Sequence, residues 1–183
     1  MPPPEQWESF FDAAAILDVL GCSSSAGDVV EFGCGYGTFT IPAARRVSGT
    51  VYAIDIDPLM VATTADRAAR AGTRNVVAQE RDFVVDGCGR AARSAEYVML
   101  FNVLHLDDPV SLLREAYRVL RPQGIVGLMH WKRDAGAPRG PPLEIRPSPE
   151  QCQRWAEAAG LKCVRTQELP GSPWHWGMLL ERS

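Results

Sequence analysis

The stretch VVEFGCGYGTFT, from Val29 to Thr40, constrains this 183-residue chain more than any other. An apolar run carrying the acid Glu31 turns through Gly33, Gly35 and Gly37 at alternate positions and passes into a helix-like segment. Glycine adopts positive φ without steric cost, so such a turn lets backbone N–H groups close around a ligand at a strand-to-helix junction. Downstream, apolar runs alternate with helix-like ones, the pattern of an α/β domain. The runs Asp28–Phe32, Thr50–Ile54, Val76–Glu80, Tyr97–Phe101, Gly124–Trp131, Lys162–Glu168 and Trp176–Glu181 read as strands. Asp12 is expected to cap a helix over Ala13–Leu20, and Thr38–Val47 follows the glycine turn. Pro58, Pro109 and Pro149 each open a helix, running to Ala71, Leu120 and Ala159. These elements predict a doubly wound, mostly parallel sheet of seven strands. The connection around Leu169 to His175 is too short for a crossover, so the last strand is expected to be antiparallel. Residues 1–183 are read as one domain, with 1–27 an N-terminal helical segment and 28–183 the core; the Pro/Gly-rich stretch Gly136 to Pro149 is read as a surface loop.

The turn also discriminates among ligands. A dinucleotide site reads Gly-x-Gly-x-x-Gly and faces a pyrophosphate. Here Thr38 stands where the third glycine is wanted, and Glu31 lies two residues before the first. A fixed anion there repels a phosphate chain but favours S-adenosylmethionine, which brings an ammonium and a sulfonium. A nicotinamide oxidoreductase is therefore the weaker reading. Composition narrows the partners. The formal net charge is −3, from 19 basic and 22 acidic residues, and no dense Lys/Arg block suggests a nucleic-acid groove. No apolar run reaches the roughly 18 residues of a membrane span, and Met1 to Pro4 lack the pattern of a secretory signal. The five cysteines are odd in number and lack Cys-x-x-Cys spacing, so neither a disulfide framework nor a zinc site is expected. A reducing cytoplasm is the simplest compartment.

Taken in order, these segments resemble the class I S-adenosylmethionine-dependent methyltransferases. VVEFGCGYGTFT resembles the family's first motif, VYAIDIDP its second and ERDF its third; YVMLFNVLHLDDP resembles the fourth, and LRPQGIVGLMHW the strand that follows. The resemblance runs from about Asp28 to the end. It implies a Rossmann-like fold with the ligand outside the carboxyl ends of the strands, S-adenosylmethionine as cofactor and S-adenosylhomocysteine as product. By resemblance, Gly33, Gly35 and Gly37 line the methionine part of the cofactor, Glu31 faces its amino group, and Tyr36 reaches over the site or lies on the surface. Asp55 accepts from the ribose hydroxyls; Asp57 competes for that role but directly precedes Pro58 and reads as a helix cap. Ile56 lies against the adenine, Asp82 accepts from its amino group, Phe83 adds a backbone contact, and Asn102 stands next to the transferable methyl. Pro122-Gln123-Gly124 departs from the family's usual Pro-Gly-Gly, and Gly87 to Glu96 lacks the usual Leu-Pro and suggests no particular shape.

The implied reaction is in-line displacement at the sulfonium methyl, to which the protein contributes proximity and desolvation. A base is needed only for an acceptor that arrives protonated, such as a phenol. His105 and His130 are the candidates for base or orienting group, with Asn102 beside them, and the topology brings His175 to the same sheet edge. Nothing in their spacing supports a metal site. Trp131, Trp174 and Trp176, joined by Trp7, Phe10 and Phe11, suggest an apolar acceptor pocket partly closed by the N-terminal segment and the Gly136–Pro149 loop. Arg139 and Arg146 are candidates for a substrate carboxylate, with a solvated loop role as the plainer alternative. The expectation is a small-molecule acceptor, no nucleic acid, no membrane, and a monomer or homodimer. The alternative is a module that binds the cofactor as a sensor or partner protein and transfers nothing.

Overall fold

A computed structural model describes residues 3–23, 27–134 and 136–183; parts of the expected N-terminal segment, residues 1–2 and 24–26, lie outside it. Among the described residues, β1 (Val29–Phe32), β2 (Val51–Asp55), β3 (Val76–Glu80), β4 (Ala95–Phe101), β5 (Leu120–Trp131), β6 (Leu161–Glu168) and β7 (His175–Arg182) form one sheet. Their order is β3-β2-β1-β4-β5-β7-β6. The first five pair in parallel, and β7 runs antiparallel to both β5 and β6, as the short last connection requires. Every position of β1 is buried, because helices cover both faces of the sheet centre. On one face, Leu112, Leu113 and Ala116 of α5 (Pro109–Val119) meet Cys152 and Ala156 of α6 (Pro149–Ala158). On the other, Ile16 and Leu17 of α2 (Ala13–Val19) pack with Ala43 and Ala44 of α3 (Thr40–Ala44). α4 (Pro58–Arg70) lies along β2 and β3, and a short α1 (Pro4–Glu8) precedes α2.

Local chemistry sets the helix starts. Asp12, Asp57 and Asp108 accept from the backbone N–H groups of Ala15, Leu59 and Ser111 at 3.0, 2.9 and 3.0 Å. Ser148 and Gln151 form a reciprocal capping box at the start of α6. Two boundaries differ from the sequence reading by more than two residues. The helix after the glycine turn is only Thr40–Ala44, because Thr38 belongs to the turn and the Arg46 and Val47 N–H groups both bend back onto the Ala43 carbonyl. β5 begins at Leu120, four residues before the expected Gly124 (124 − 120 = 4), because a register shift opposite Ala95 and Tyr97 admits Pro122, with Gln123 at φ 64°. The segment of unassigned shape between β3 and β4 is a series of turns, tied down where Glu115 accepts from the Cys88 N–H at 2.8 Å.

Gly136 to Pro149 is more than a solvated loop. It contains a single 3-10 turn, Leu143–Ile145, and folds around Arg146, which is only 5% exposed. The Arg146 guanidinium donates to the carbonyls of Pro141, Lys132, Asp134 and Arg139 at 2.8, 3.0, 3.3 and 2.9 Å. This corrects the reading of Arg146 as a substrate-carboxylate ligand, since its donors are occupied by backbone.

Candidate functional site

The carboxyl ends of β1, β2, β4 and β5 converge on one edge, joined by the start of β7. There the chain leaving β1 hooks onto β2: the Gly33 and Cys34 N–H groups both donate to the Ile54 carbonyl, at 2.8 and 3.0 Å. Gly33 has φ 79°, and a Cβ on it would meet Val103 Cγ1 at 2.9 Å, so a side chain is excluded by both conformation and space. Asp55 at the end of β2 braces the turn. Its Oδ2 accepts from the Gly35 N–H at 2.9 Å and its Oδ1 from the Asp57 N–H at 3.0 Å. Asp57 itself caps α4. The turn forms the floor of a cavity of about 190 Å³ whose walls include Glu31, Gly33, Gly35, Asp55, Asn102 and Trp7.

The cavity holds more polar capacity than the protein satisfies. Glu31 is 3% exposed, and the Thr40 hydroxyl donates to its Oε2. Burial pushes the Glu31 carboxyl up to about 8; the Thr40 hydrogen bond opposes the shift, and the neighbouring Asp55 charge adds to it. The acid is therefore mostly protonated at neutral pH and would ionise beside a cation. Asn102 ends β4 at φ 60°, a region asparagine tolerates, with its N–H donating to the Met129 carbonyl at 2.8 Å. Both polar atoms of its side chain are buried without a partner, as is Thr38 Oγ1. Buried polar groups are rarely left unsatisfied unless a ligand or water completes them.

The three histidines come together, but in unequal settings. The His105 and His130 ring centroids are 5.5 Å apart. His130 is fully buried, and desolvation, reinforced by His105, pushes it down to about 3. His175 is also fully buried and is lowered to about 3, chiefly by burial; its Nδ1 sits 2.8 Å from Ser172 Oγ. His105 is half-buried, with burial lowering its pKa, and it lines a second cavity of about 270 Å³ beyond the Asn102 loop. The reading of His130 as a base is thus corrected: it is sealed in the interior behind His105 and faces no described cavity.

The aromatic edge divides in the same way. Trp131 packs against Trp7, Phe10 and His175, with centroids 6.4, 5.7 and 4.0 Å away, and Phe11 reaches Phe39 at 5.3 Å. Trp176 belongs to the core on the opposite face. Adjacent strand residues point to opposite sides, so His175 and Trp176 cannot share a pocket wall, which corrects the grouping of Trp176 with Trp131. Among the described residues, no group of three His, Cys, Asp or Glu stands close enough to hold a metal ion.

Residues 29–124 match the profile of the family described as a methyltransferase domain. The chain belongs to the class I S-adenosylmethionine-dependent methyltransferases. It is 36% identical over 103 residues to nocamycin O-methyltransferase of Saccharothrix syringae, a match covering 55% of this chain and 36% of that relative, so it spans about a third of the relative's length. A SAM-dependent methyltransferase from Aquifex aeolicus superposes with a TM-score of 0.84 at 23% identity, covering 98% of this chain and 94% of the other. The [4+2]-cyclase SpnF superposes with a TM-score of 0.76 at 18% identity, covering 93% and 79%. At these identities the superpositions show the fold.

In this chain the buried acid, the glycine turn and the unpartnered Asn102 suit a cationic, hydrogen-bonding cofactor. Of the residues singled out by resemblance, the structure gathers Glu31, Gly33, Gly35, Asp55 and Asn102 around one cavity. Gly37 packs on Thr64 outside it, and the Tyr36 carbonyl accepts from Arg67 at 2.7 Å. Ile56 is 60% exposed beyond β2. Asp82 folds back to accept from the Val84 and Val85 N–H groups at 3.0 and 3.2 Å, and the Phe83 ring packs edge-on against Phe32 at 5.3 Å. Sequence reasoning missed Thr38, Thr40 and Arg67. Two threonines directly after a glycine turn are a usable signal for hydroxyls at the site. Arg67, which also pairs with Glu8, carries no local signal because it reaches the turn from a separate helix.

Proposed function

We propose that this chain, acting as one catalytic domain, transfers the methyl group of S-adenosylmethionine to a hydroxyl oxygen of a small molecule, releasing S-adenosylhomocysteine. The observation that carries the reading is the cavity in which buried Glu31 and the unpartnered side chain of Asn102 stand beside the glycine turn. The bound cofactor supplies an electrophilic methyl on a positively charged sulfur. Glu31, ionised by that cation, holds the ammonium end, and the Gly33 and Gly35 backbone allows close approach. Asp55 binds the ribose hydroxyls, and Asp82 and Ile56 border the adenine on the open side. Trp7, packed on Trp131, lines the site and helps to exclude water, which strengthens charge interactions beside it. His105, neutral at physiological pH, accepts the proton of the acceptor hydroxyl, and Asn102 orients the acceptor. The oxygen nucleophile agrees with the name of the curated O-methyltransferase relative.

Calorimetry with S-adenosylmethionine and S-adenosylhomocysteine tests the cofactor half; absence of heat with both would end the reading. His105→Gln is expected to lower kcat about 10²-fold, the usual scale of a general base, with cofactor affinity unchanged. In the alternative reading, the cofactor is bound but no methyl moves. An acceptor screen that follows S-adenosylhomocysteine separates the two.

A further inference from the structure

Two cavities on the α5/α6 side of the active edge lie side by side, sharing Arg133 and Pro147 as walls. The first, of about 270 Å³, is lined by His105, Leu106, Ile145 and Trp155. The second, of about 260 Å³, is lined by Lys132, Pro149 and Trp176. Trp176 is 4% exposed, and its Nε1 is buried without a partner. An indole N–H can only donate, so this wall offers a donor that wants an acceptor. Arg133 uses its Nε on the Arg146 carbonyl, and its two terminal nitrogens have no partner among the described residues. Lys132 is already paired with Glu168. Asp107 and Glu144 outnumber Arg133 in the first cavity, whereas Lys132 and Arg133 outnumber Glu168 in the second, so negative charge on a ligand is disfavoured in the first and favoured in the second. The buried, unpartnered Nδ1 of His105 marks where a hydroxyl would sit.

We propose that the methyl acceptor is a hydroxylated, flat apolar carboxylic acid whose carboxylate is bound by Arg133 and the Trp176 indole N–H. The hydroxyl then lies toward His105, and the apolar body rests on Ile145, Pro147 and Trp155. A guanidinium fork matches a carboxylate bidentately, and the indole supplies a third, directional donor. This inference rests on the proposed methyl transfer to a hydroxyl and adds what the acceptor must carry at its other end.

The test uses the full ¹⁵N-labelled chain with 4-hydroxybenzoate and its neutral analogue 4-hydroxybenzamide as probes. The Trp176 indole resonance is assigned with Trp176→Phe. Millimolar 4-hydroxybenzoate is expected to shift that resonance, and to bind the parent protein about tenfold more tightly than the amide. Arg133→Gln is expected to remove that preference while leaving amide affinity within about twofold. An unmoved Trp176 resonance, equal binding of acid and amide by the parent, or equal loss of both in the variant would overturn the proposal. Calorimetry with S-adenosylmethionine on the same sample separates the failures: binding of the cofactor with no preference for the acid sinks only this inference, whereas no binding sinks the methyltransferase reading beneath it.

Discussion

The glycine turn after β1 and the connection between β5 and α6 shape the same edge of the sheet by opposite means. The turn is built from backbone: the Gly33 and Cys34 N–H groups share one carbonyl of β2, and a single carboxylate, Asp55, braces Gly35. The connection is built around a side chain, with the Arg146 guanidinium gathering four carbonyls that no regular structure satisfies. A turn made of backbone demands glycine at fixed spacing and so writes a motif. A loop folded on one arginine demands only that arginine, among prolines and glycines that read as solvent-exposed.

The two regions should therefore fail differently. Gly33→Ala forces a Cβ into Val103 at positive φ and is expected to cost about 2–5 kcal/mol of stability and to abolish cofactor binding. Urea unfolding and calorimetry check both, and a parent-like melt would mean that the turn is looser than its contacts. Arg146→Met removes the clamp on the other side. It should cost about 3 kcal/mol and open the Gly136–Pro149 segment to protease while leaving cofactor affinity intact, because buried carbonyls lose a charged donor. A fall in cofactor affinity as large as the fall in stability would erase the contrast. Asp55→Ala is expected to weaken S-adenosylmethionine binding by about 1.5–3 kcal/mol; affinity within about twofold of the parent would count against its ribose role.

The smallest effects are in pH. Glu31, raised to about 8 by burial, must ionise beside a cation, so affinity should rise with pH up to about 8 and then level off. Calorimetry in buffers of different ionisation enthalpy should show up to one proton released per cofactor, and Glu31→Gln should remove it. Stability responds with opposite signs at Glu31 and at the two buried histidines. The contribution of Glu31 is full below the ordinary carboxylate pKa and is lost as pH rises through about 8. Those of His130 and His175 are present above the ordinary histidine pKa and are lost as pH falls toward 3. A thermal-melt series that climbs steadily with pH throughout would put the Glu31 assignment in question.

From the sequence alone came the alternation of strands and helices, the antiparallel last strand, the caps at Asp12 and Asp57, the helix starts at Pro109 and Pro149, and the glycine turn with its acid. These rest on interactions a few residues long or on periodicity, which the order of residues records directly. Only the folded chain decided that His105 opens on a cleft while His130 is sealed behind it, and that Trp176 faces away from Trp131. It also decided that Arg146 holds a loop together, and that Glu31 is buried deeply enough to keep its proton. Each of these depends on burial or on how strands pair, and both sum contacts between elements far apart in sequence, so no local pattern of residues encodes them.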